Sequence, residues 1–187
     1  MPALLIIVTG PSATGKTGVA ARLAEDLTLP AIHKDALKEQ LFNSLGWSDR
    51  AWSRKLGGAS YDLIWLLAES LAAAGCSAVI EGNLRGTVAE TRLRTITART
   101  GCRFVQVHCW AEGKTLLERY RARLQAGDRH PGHLDDPDDP KLREQLADGR
   151  YDPLDIAGEV IDLDMNDLAA IDYARLVKRL RALLKGE

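Results

Sequence analysis

The stretch GPSATGKT, at residues 10–17, fits the pattern G-x-x-x-x-G-K-[ST] at every fixed position. It follows the unbroken apolar run LLIIV at 4–8 and opens a segment, 16–27, in which apolar residues recur with helical spacing. Gly10 and Gly15 permit backbone turns closed to other residues, so that successive N–H groups face phosphate oxygens at the start of a helix. The pattern predicts a nucleotide phosphate site built from Gly10, Pro11, Ser12, Ala13, Thr14, Gly15, Lys16 and Thr17.

Two side chains of this loop have chemical roles of their own. In loops of this pattern the lysine, here Lys16, reaches the β- and γ-phosphates, and the hydroxyl, here Thr17, binds Mg²⁺. ATP and Mg²⁺ are therefore the expected cofactors. The chain has no N-K-x-D tetrapeptide of the kind that reads guanine in GTPases and no LSGGQ-like signature of ABC-type ATPases. The motif therefore favours a compact P-loop kinase.

Composition sets limits on the partners of the protein. The chain has 187 residues, of which 45% are apolar and 27% charged, with a net charge of -1, so it has no overall attraction to nucleic acid or to an anionic membrane. Its three cysteines form no C-x-x-C pair, which predicts buried, reduced thiols. The apolar N-terminal run is too short to span a bilayer and no basic region precedes it, so a cytoplasmic protein is expected.

Short apolar segments alternate with segments of helical spacing along the rest of the chain. This order is typical of a three-layer, doubly wound α/β domain with a mostly parallel, five-stranded sheet and a lid, here a single P-loop kinase domain over 1–187. Strands are predicted near 4–8, 31–34, 76–83, 102–109 and 158–164, and helices near 16–27, 36–45, 61–74, 87–100, 112–126, 141–148 and 167–185. The inward face of the last helix is predicted to hold Leu168, Ile171, Leu176, Leu180 and Leu183.

Two segments interrupt this order. Residues 46–60 (GWSDRAWSRKLGGAS) show no clean period and contain three glycines, which predicts an irregular connection on the acceptor side of the site. Residues 127–141 contain three prolines, two glycines and five aspartates, which predicts a loop long enough to be functional. Together with the end of the preceding helix, this loop is the predicted lid, 119–140.

The segment HKDALK at 33–38 places an acid where the second predicted strand ends. Ligands of doubly wound sheets bind outside the carboxyl ends of the strands, so Asp35 is expected at the edge of the γ-phosphate site, where it can accept the proton of an attacking hydroxyl. The alternative is that Asp35 is the N-cap of helix 36–45, and both roles are compatible. Lys38 lies on the same helix face and is expected to bind an anionic part of the acceptor.

Polar residues also end the third predicted strand, in the sequence EGNLR. Glu81 is expected to hold Mg²⁺ through water, and Glu81, Asn83 and Arg85 are candidates for the acceptor site. The alternative is that they form a solvated strand end. Trp47 and Trp52, which lie among cations in 46–60, are candidates for a pocket that binds a planar group, and packing in the core is the alternative.

Arginines cluster before and within the predicted lid. Arg119 and Arg123 are four residues apart on one helix face, and Arg129 follows in the loop. Guanidinium groups match the oxygens of a transferring phosphoryl group, so Arg119 is expected to bind the nucleotide and Arg123 and Arg129 to act in catalysis. The alternative is an exposed basic face. His130 and His133 in HPGH resemble metal ligands, but the intervening proline and glycine favour a role in lid shape over a zinc site.

The order of these segments resembles that of a known group of proteins. The loop at 10–17, HKDALK, VIEGN at 79–83, RYRAR…RHPGH at 119–133 and YDPL…VIDLD at 151–164 resemble small P-loop kinases that include chloramphenicol phosphotransferase, zeta toxins and polynucleotide 5′-kinases, which are AAA-type P-loop ATP-binding proteins. The resemblance covers nearly the whole chain and implies that the acid matching Asp35 is the general base. Polynucleotide kinases have an arginine where this chain has Lys38.

These observations predict an ATP- and Mg²⁺-dependent kinase that phosphorylates a hydroxyl group of a small molecule such as a metabolite, a nucleoside-type compound or an antibiotic. Lysine lacks the bidentate fork of arginine, so Lys38 and the near-neutral charge disfavour a nucleic-acid end as acceptor. A polynucleotide 5′-hydroxyl kinase is one alternative. An ATP-binding switch or accessory ATPase without an acceptor is the other.

Overall fold

The computed structural model describes residues 1–136 and 138–187. Within them, the strands are Leu4–Thr9 (β1), Ala31–His33 (β2), Ala78–Glu81 (β3), Arg103–Trp110 (β4) and Glu159–Asp164 (β5). The helices are Lys16–Leu27 (α1), Lys34–Leu45 (α2), Arg50–Ala73 (α3), Gly86–Thr100 (α4), Gly113–Ala126 (α5), Pro140–Ala147 (α6) and Tyr173–Leu184 (α7), and Pro131–His133 form a 3₁₀ turn.

The five strands form one sheet in the order β2-β3-β1-β4-β5, and every neighbouring pair is parallel. β1 is therefore the central strand, with β3 and β2 on one side of it and β4 and β5 on the other. The carboxyl ends of all five strands lie at the same edge of the sheet. The predicted doubly wound α/β fold is confirmed, and the sheet is parallel throughout. The loop after β1 and the residues that follow β2 and β3 lie at this edge.

The central position of β1 explains why its sequence is apolar at every residue from 4 to 8. Leu4, Ile6 and Val8 pack into a core with residues of α1, α5 and α7, whereas Leu5 and Ile7 pack into a second core with residues of α3 and α4. A strand covered by helices on both faces buries every side chain, so no polar alternation remains. All six residues of β1 are buried.

Helix α3 corrects the prediction for 46–60. Only residues 46–49 are irregular, because Asp49 caps a helix that starts at Arg50 and its carboxylate accepts a hydrogen bond from the Trp52 N–H at 2.8 Å. Gly57 and Gly58 lie inside this helix of 24 residues, where tertiary packing overrides their poor helix propensity. None of the described helices is both long enough and apolar enough to cross a membrane.

Two further boundaries differ from the sequence-based expectation. Helix α2 starts at Lys34 with His33 as its N-cap, so the prediction that Asp35 is the cap is wrong and its carboxylate projects from the first turn. The last helix starts at Tyr173 rather than near 167, and Leu168, predicted to face inward, is 51% exposed. The segment between β5 and α7 is instead a loop that passes beside the start of α1.

Candidate active site

The loop after β1 has the backbone conformation of a phosphate cradle. Gly10 has a φ of +148°, and a Cβ there would lie 2.0 Å from the carbonyl oxygen of Cys109 on β4. Gly15 has a φ of +91° at the start of α1. The hydroxyl of Thr14 donates to the Pro11 carbonyl at 3.0 Å and closes the loop. These constraints leave the N-terminus of α1 open toward the edge of the sheet, where backbone N–H groups can bind an anion.

Lys16 is buried in the centre of the cradle. Its Nζ donates to the Pro11 carbonyl at 3.0 Å and lies 3.9 Å from Glu81 Oε1. Burial lowers the pKa of Lys16, while the nearby carboxylates of Glu81 and Asp35 oppose that shift. The ammonium therefore has few protein partners for a buried charge and can bind a phosphate oxygen.

A cavity of 270 Å³ collects side chains from four parts of the chain. Ten of the predicted site residues line it, together with two that the sequence did not indicate, Lys34 and Gly82. The ten are Ser12, Ala13, Gly15, Lys16, Thr17, Asp35, Glu81, Asn83, Arg119 and Arg123. The predicted residues Lys38, Trp47, Trp52, Arg85 and Arg129 are not among the described residues that line it.

Asp35 is held by two cations. Lys34 Nζ donates to its Oδ1 at 2.9 Å, and Arg129 Nη2 donates to its Oδ2 at 2.6 Å. Partial burial alone would raise the pKa of Asp35, but the charges of Lys34 and Arg129 outweigh it, and the pKa lies well below its usual range. Asp35 is thus a carboxylate at neutral pH and can accept a hydrogen bond from a hydroxyl group.

The two helical arginines lie at the wall of this cavity. Arg119 donates to the carbonyl oxygens of Met165 at 2.7 Å and Asn166 at 2.9 Å and so fixes the loop between β5 and α7. Arg123 has two buried nitrogens, Nε and Nη2, without a hydrogen-bond partner in the described chain. Burial, and then the charge of Arg129, lower its pKa. An unpaired buried guanidinium is costly, and an anion in the cavity would satisfy it.

The predicted lid comprises the second half of α5 and the segment that follows it. Arg129 bridges from this segment to Asp35 and also donates to Asp135 Oδ2 at 2.5 Å. The ring of His130 stacks on Phe42 of α2 at 5.0 Å, and His133 Nε2 donates to Glu39 Oε1 at 2.9 Å. The HPGH sequence therefore holds this segment against α2.

No group of three or more His, Cys, Asp or Glu side chains could hold a metal ion in the part of the chain that the structure describes. In the lid, His130 Nδ1 instead accepts a hydrogen bond from the Gly132 N–H at 3.0 Å. His130 Nδ1 therefore has a hydrogen-bond partner within its own segment.

The third strand connects the cradle to the rest of the site. Glu81 is buried beside Lys16, and its Oε2 lies 3.4 Å from His33 Nδ1. Asn83 donates to the Ser12 hydroxyl at 3.2 Å. Since β3 is hydrogen-bonded to β1, residues that follow β3 necessarily lie next to the loop that follows β1.

The remaining predicted residues have other neighbours. Lys38 is buried, donates to the Ser53 hydroxyl of α3 at 3.0 Å and lies 5.1 Å from the centre of the Phe42 ring. Burial lowers the pKa of Lys38 to about 8. Trp52 donates to the Gly46 carbonyl at 3.0 Å, and Trp47 is half-exposed with its edge toward His130. Arg85 lies at the start of α4, over the ring of Tyr151 at 4.6 Å.

Sequence reasoning missed Lys34 and Tyr61. Lys34 was assigned to a strand end, although its position directly before the candidate base was a usable signal. Tyr61 lies in a helix that is apolar on most sides, and only its hydroxyl, which donates to the Asn83 carbonyl at 3.3 Å, indicates a role near the site.

A second cavity, of 420 Å³, continues from the cradle toward the C-terminal part of the chain. Gly15, Val19 and Met165 line it together with Leu168 and Tyr173. Its mainly apolar lining, which also includes Arg22, and its position next to the phosphate loop suit the base of a nucleotide. The exposed Leu168 therefore lies in the wall of a cavity instead of in the core.

Residues 5–147 match the model of a family described as an AAA domain. The chain is also similar in structure to a protein from Chloroflexus aurantiacus J-10-fl that is classed provisionally as a kinase. The two share 36% sequence identity, with 97% of this chain and 98% of the other covered, and the TM-score is 0.92. No curated protein matches the chain.

Two more distant structures share the fold alone. The gluconokinase of Sinorhizobium meliloti 1021 is 19% identical, with 96% of each chain covered and a TM-score of 0.53. The APS kinase CysC of Mycobacterium tuberculosis, solved with AMPPNP and APS, is 17% identical, with 98% of each chain covered and a TM-score of 0.61.

Proposed function

Because the chain belongs to the AAA domain family, with the fold of small P-loop kinases, we propose that it transfers the γ-phosphoryl group of ATP to a hydroxyl group of a small molecule. One observation carries the proposal: Lys16, Asp35 and Arg123 line the same cavity. A cation for the nucleotide phosphates, a carboxylate for the acceptor hydroxyl and an unpaired arginine beside them are the groups that phosphoryl transfer requires.

Each of these groups has a distinct task. Lys16 and Arg123 bind the phosphate oxygens and neutralise the charge that spreads over them during transfer. Asp35 accepts the hydrogen bond of the acceptor hydroxyl and orients its oxygen toward the γ-phosphorus. Because its pKa is depressed, Asp35 is a weak base, so it takes the proton late, when the new P–O bond has already made the hydroxyl acidic.

The residues around the cradle also fit Mg²⁺, which prefers oxygen ligands. Thr17 offers a hydroxyl at the cavity and Glu81 a buried carboxylate, so these two residues would hold the ion, Glu81 through water. When bound, Mg²⁺ would offset the negative charge of the β- and γ-phosphates. Arg119 would support the nucleotide through the loop that it fixes, next to the apolar cavity for the base.

A small molecule is the preferred acceptor for two reasons. The gluconokinase and the APS kinase with this fold are named for small substrates. In addition, Lys38, which stands where polynucleotide kinases have an arginine, is buried against Ser53 and so is poorly placed to contact the end of a nucleic acid.

The test is transfer of label from γ-labelled ATP to a panel of sugars, nucleosides, aminocyclitols, phenicols and 5′-hydroxyl oligonucleotides. We expect label on a small molecule, and we expect Asp35→Asn to lower the transfer rate by about 10²–10⁴-fold with ATP binding retained. Asp128→Asn, an exposed acid of the lid, is the matched control and should transfer at the wild-type rate.

Two results would contradict the proposal. Label on oligonucleotides alone, with binding that weakens steeply as salt increases, would indicate a polynucleotide kinase. ATP hydrolysis that no acceptor stimulates and that Asp35→Asn leaves unchanged would indicate a nucleotide switch or an accessory ATPase.

A further inference from the structure

A third cavity, of 430 Å³, lies between α3 and α4 at the end of β3. Its walls include the rings of Tyr61 and Trp65 on one side and Arg85, Val88 and Arg92 on the other. Its lining therefore combines two aromatic side chains with two cations, and Trp65 is also part of the core beneath the cavity. None of these five residues lines the cavity around the phosphate cradle.

The third cavity is connected to the candidate active site. Asn83 lines both cavities, and its carbonyl accepts a hydrogen bond from the hydroxyl of Tyr61 at 3.3 Å. Lys34 Nζ lies 5.7 Å from the centre of the Tyr61 ring and 2.9 Å from Asp35 Oδ1. Burial, and then the charge of Asp35, raise the pKa of Tyr61 to about 12. The Asp35 carboxylate therefore lies close to the Tyr61 wall of this cavity.

Among the described residues, its two arginines have no carboxylate partner, although Arg85 lies over the ring of Tyr151 at 4.6 Å. Neither Arg85 nor Arg92 forms an ion pair within the described chain, whereas Arg94, two residues further along α4, pairs with Asp155 at 2.7 Å. Arg85 is also the N-cap of α4, where no side chain caps the helix, so the positive end of the helix adds to its charge. The only carboxylate among the lining residues of this cavity is Asp62, which can accept hydrogen bonds from hydroxyl groups.

We propose that this cavity is the acceptor subsite, and that the acceptor is a compact hydroxyl compound with an oxyanion group, either a carboxylate or a phosphate. The oxyanion binds Arg85 and Arg92 through charge-assisted hydrogen bonds, and a flat or apolar part of the molecule packs on Tyr61 and Trp65. This assignment rests on the proposed kinase function and specifies its substrate class. It places the acceptor between α4 and the part of α3 around Tyr61, rather than at Trp47 and Trp52 before and at the start of α3.

Phosphoryl transfer from ATP to an acceptor in this cavity needs no further reactant. The bond between the γ-phosphorus and the oxygen that bridges it to the β-phosphorus breaks, and a bond forms from the acceptor oxygen to the γ-phosphorus. The proton of the acceptor hydroxyl passes to Asp35, and ADP leaves. The oxyanion group of the acceptor is unchanged and serves only to position the reacting hydroxyl.

Related compounds with and without a charged group test the proposal. One set is glucose, glucuronate and glucose 6-phosphate, a second is adenosine and AMP, and a third is 4-hydroxybenzamide and 4-hydroxybenzoate. Calorimetry on the protein saturated with AMPPNP and Mg²⁺ measures binding of each compound, and labelled ATP measures transfer. The variants are Arg85→Gln and Arg92→Gln, and the control is Arg121→Gln, an exposed arginine of α5.

We expect at least one charged compound to bind about tenfold or more tightly than its neutral partner, and each pocket variant to remove most of that preference. Arg121→Gln should retain it. Comparison of glucuronate with glucose 6-phosphate distinguishes a carboxylate from a phosphate. Equal binding of charged and neutral partners, an unchanged preference in both pocket variants, or no binding of any charged compound would overturn the proposal. Binding with the expected preference but without transfer would support the subsite and contradict the kinase function instead.

Discussion

Arg123 is a partly buried arginine whose guanidinium lacks hydrogen-bond partners among the described residues. Its Nε and Nη2 are buried without a hydrogen bond in the described chain, and such a charge destabilises a folded protein unless a ligand compensates it. The arrangement is typical of a residue kept for binding and not for stability.

Arg123→Met should therefore lower activity without lowering stability. Removal of the guanidinium should lower phosphoryl transfer by about 10²-fold or more, because an arginine at the transferring group carries much of the charge stabilisation. The same change should leave the free energy of unfolding unaltered or raise it by about 1 kcal/mol. Thermal unfolding and labelled transfer measure the two effects. Arg121→Met, an exposed change on the same helix, is the control, and a destabilised Arg123→Met with full activity would contradict the assignment.

Lys38 gives a pH-dependent prediction at the residue scale. Its pKa is about 8 in the folded protein against 10.5 for an ordinary lysine, so between these values the unfolded chain binds more protons than the folded one. The free energy of unfolding contributed by Lys38 should rise with pH across this window. Urea unfolding at several pH values should show that wild type gains stability relative to Lys38→Met from pH 8 to 10.5. A constant difference would show that burial does not perturb the ammonium.

At the scale of elements, helix α3 shows how glycine obscures a helix in a sequence. Gly57 and Gly58 fall in its first half, and each lowers helix propensity. The helix nevertheless forms, because Asp49 caps its start and buried residues such as Leu56 and Ile64 recur along one face. The helical period was present in 50–60, but Trp52 and the two glycines obscured it.

Gly58→Ala should stabilise the protein. A Cβ at Gly58 would meet no atom within 4 Å, so alanine should improve helix propensity by about 0.5–1 kcal/mol without a clash. Gly75 also has free space around a Cβ but has a φ of +73°, so Gly75→Ala should destabilise through backbone strain alone. Denaturant unfolding of the two variants separates backbone conformation from space. An equal effect of both substitutions would refute the explanation.

At the scale of the whole molecule, the predicted lid contacts α2 through His130 and His133, and Arg129 of the same segment contacts Asp35. A Cβ at Gly132 would lie 2.8 Å from Cγ of Phe42, whose ring is buried. Gly132→Ala should undock this contact and lower the catalytic efficiency about tenfold or more, since misplaced groups lose the aligned geometry of transfer. Limited proteolysis within the lid should become faster. Asp128→Ala, an exposed change in the same segment, should have neither effect, and normal activity of Gly132→Ala would show that docking is not needed.

Local patterns were enough to predict part of this architecture. The apolar run 4–8, the glycine loop and the helix that ends at Leu27 follow from neighbours in sequence, because burial period and backbone freedom are properties of consecutive residues. The placement of Asp35, Glu81 and Asn83 at one edge also followed, since parallel strands share that edge.

Packing between elements decided the rest. Arg129 meets Asp35 although the two are 94 positions apart, Lys38 is buried because α3 passes over it, and the cavity of Tyr61, Arg85 and Arg92 exists only where α3 and α4 leave a gap at the end of β3. These contacts depend on the angles and distances at which finished helices pack on the sheet. Residue periodicity records which face of an element is buried but not which element covers it.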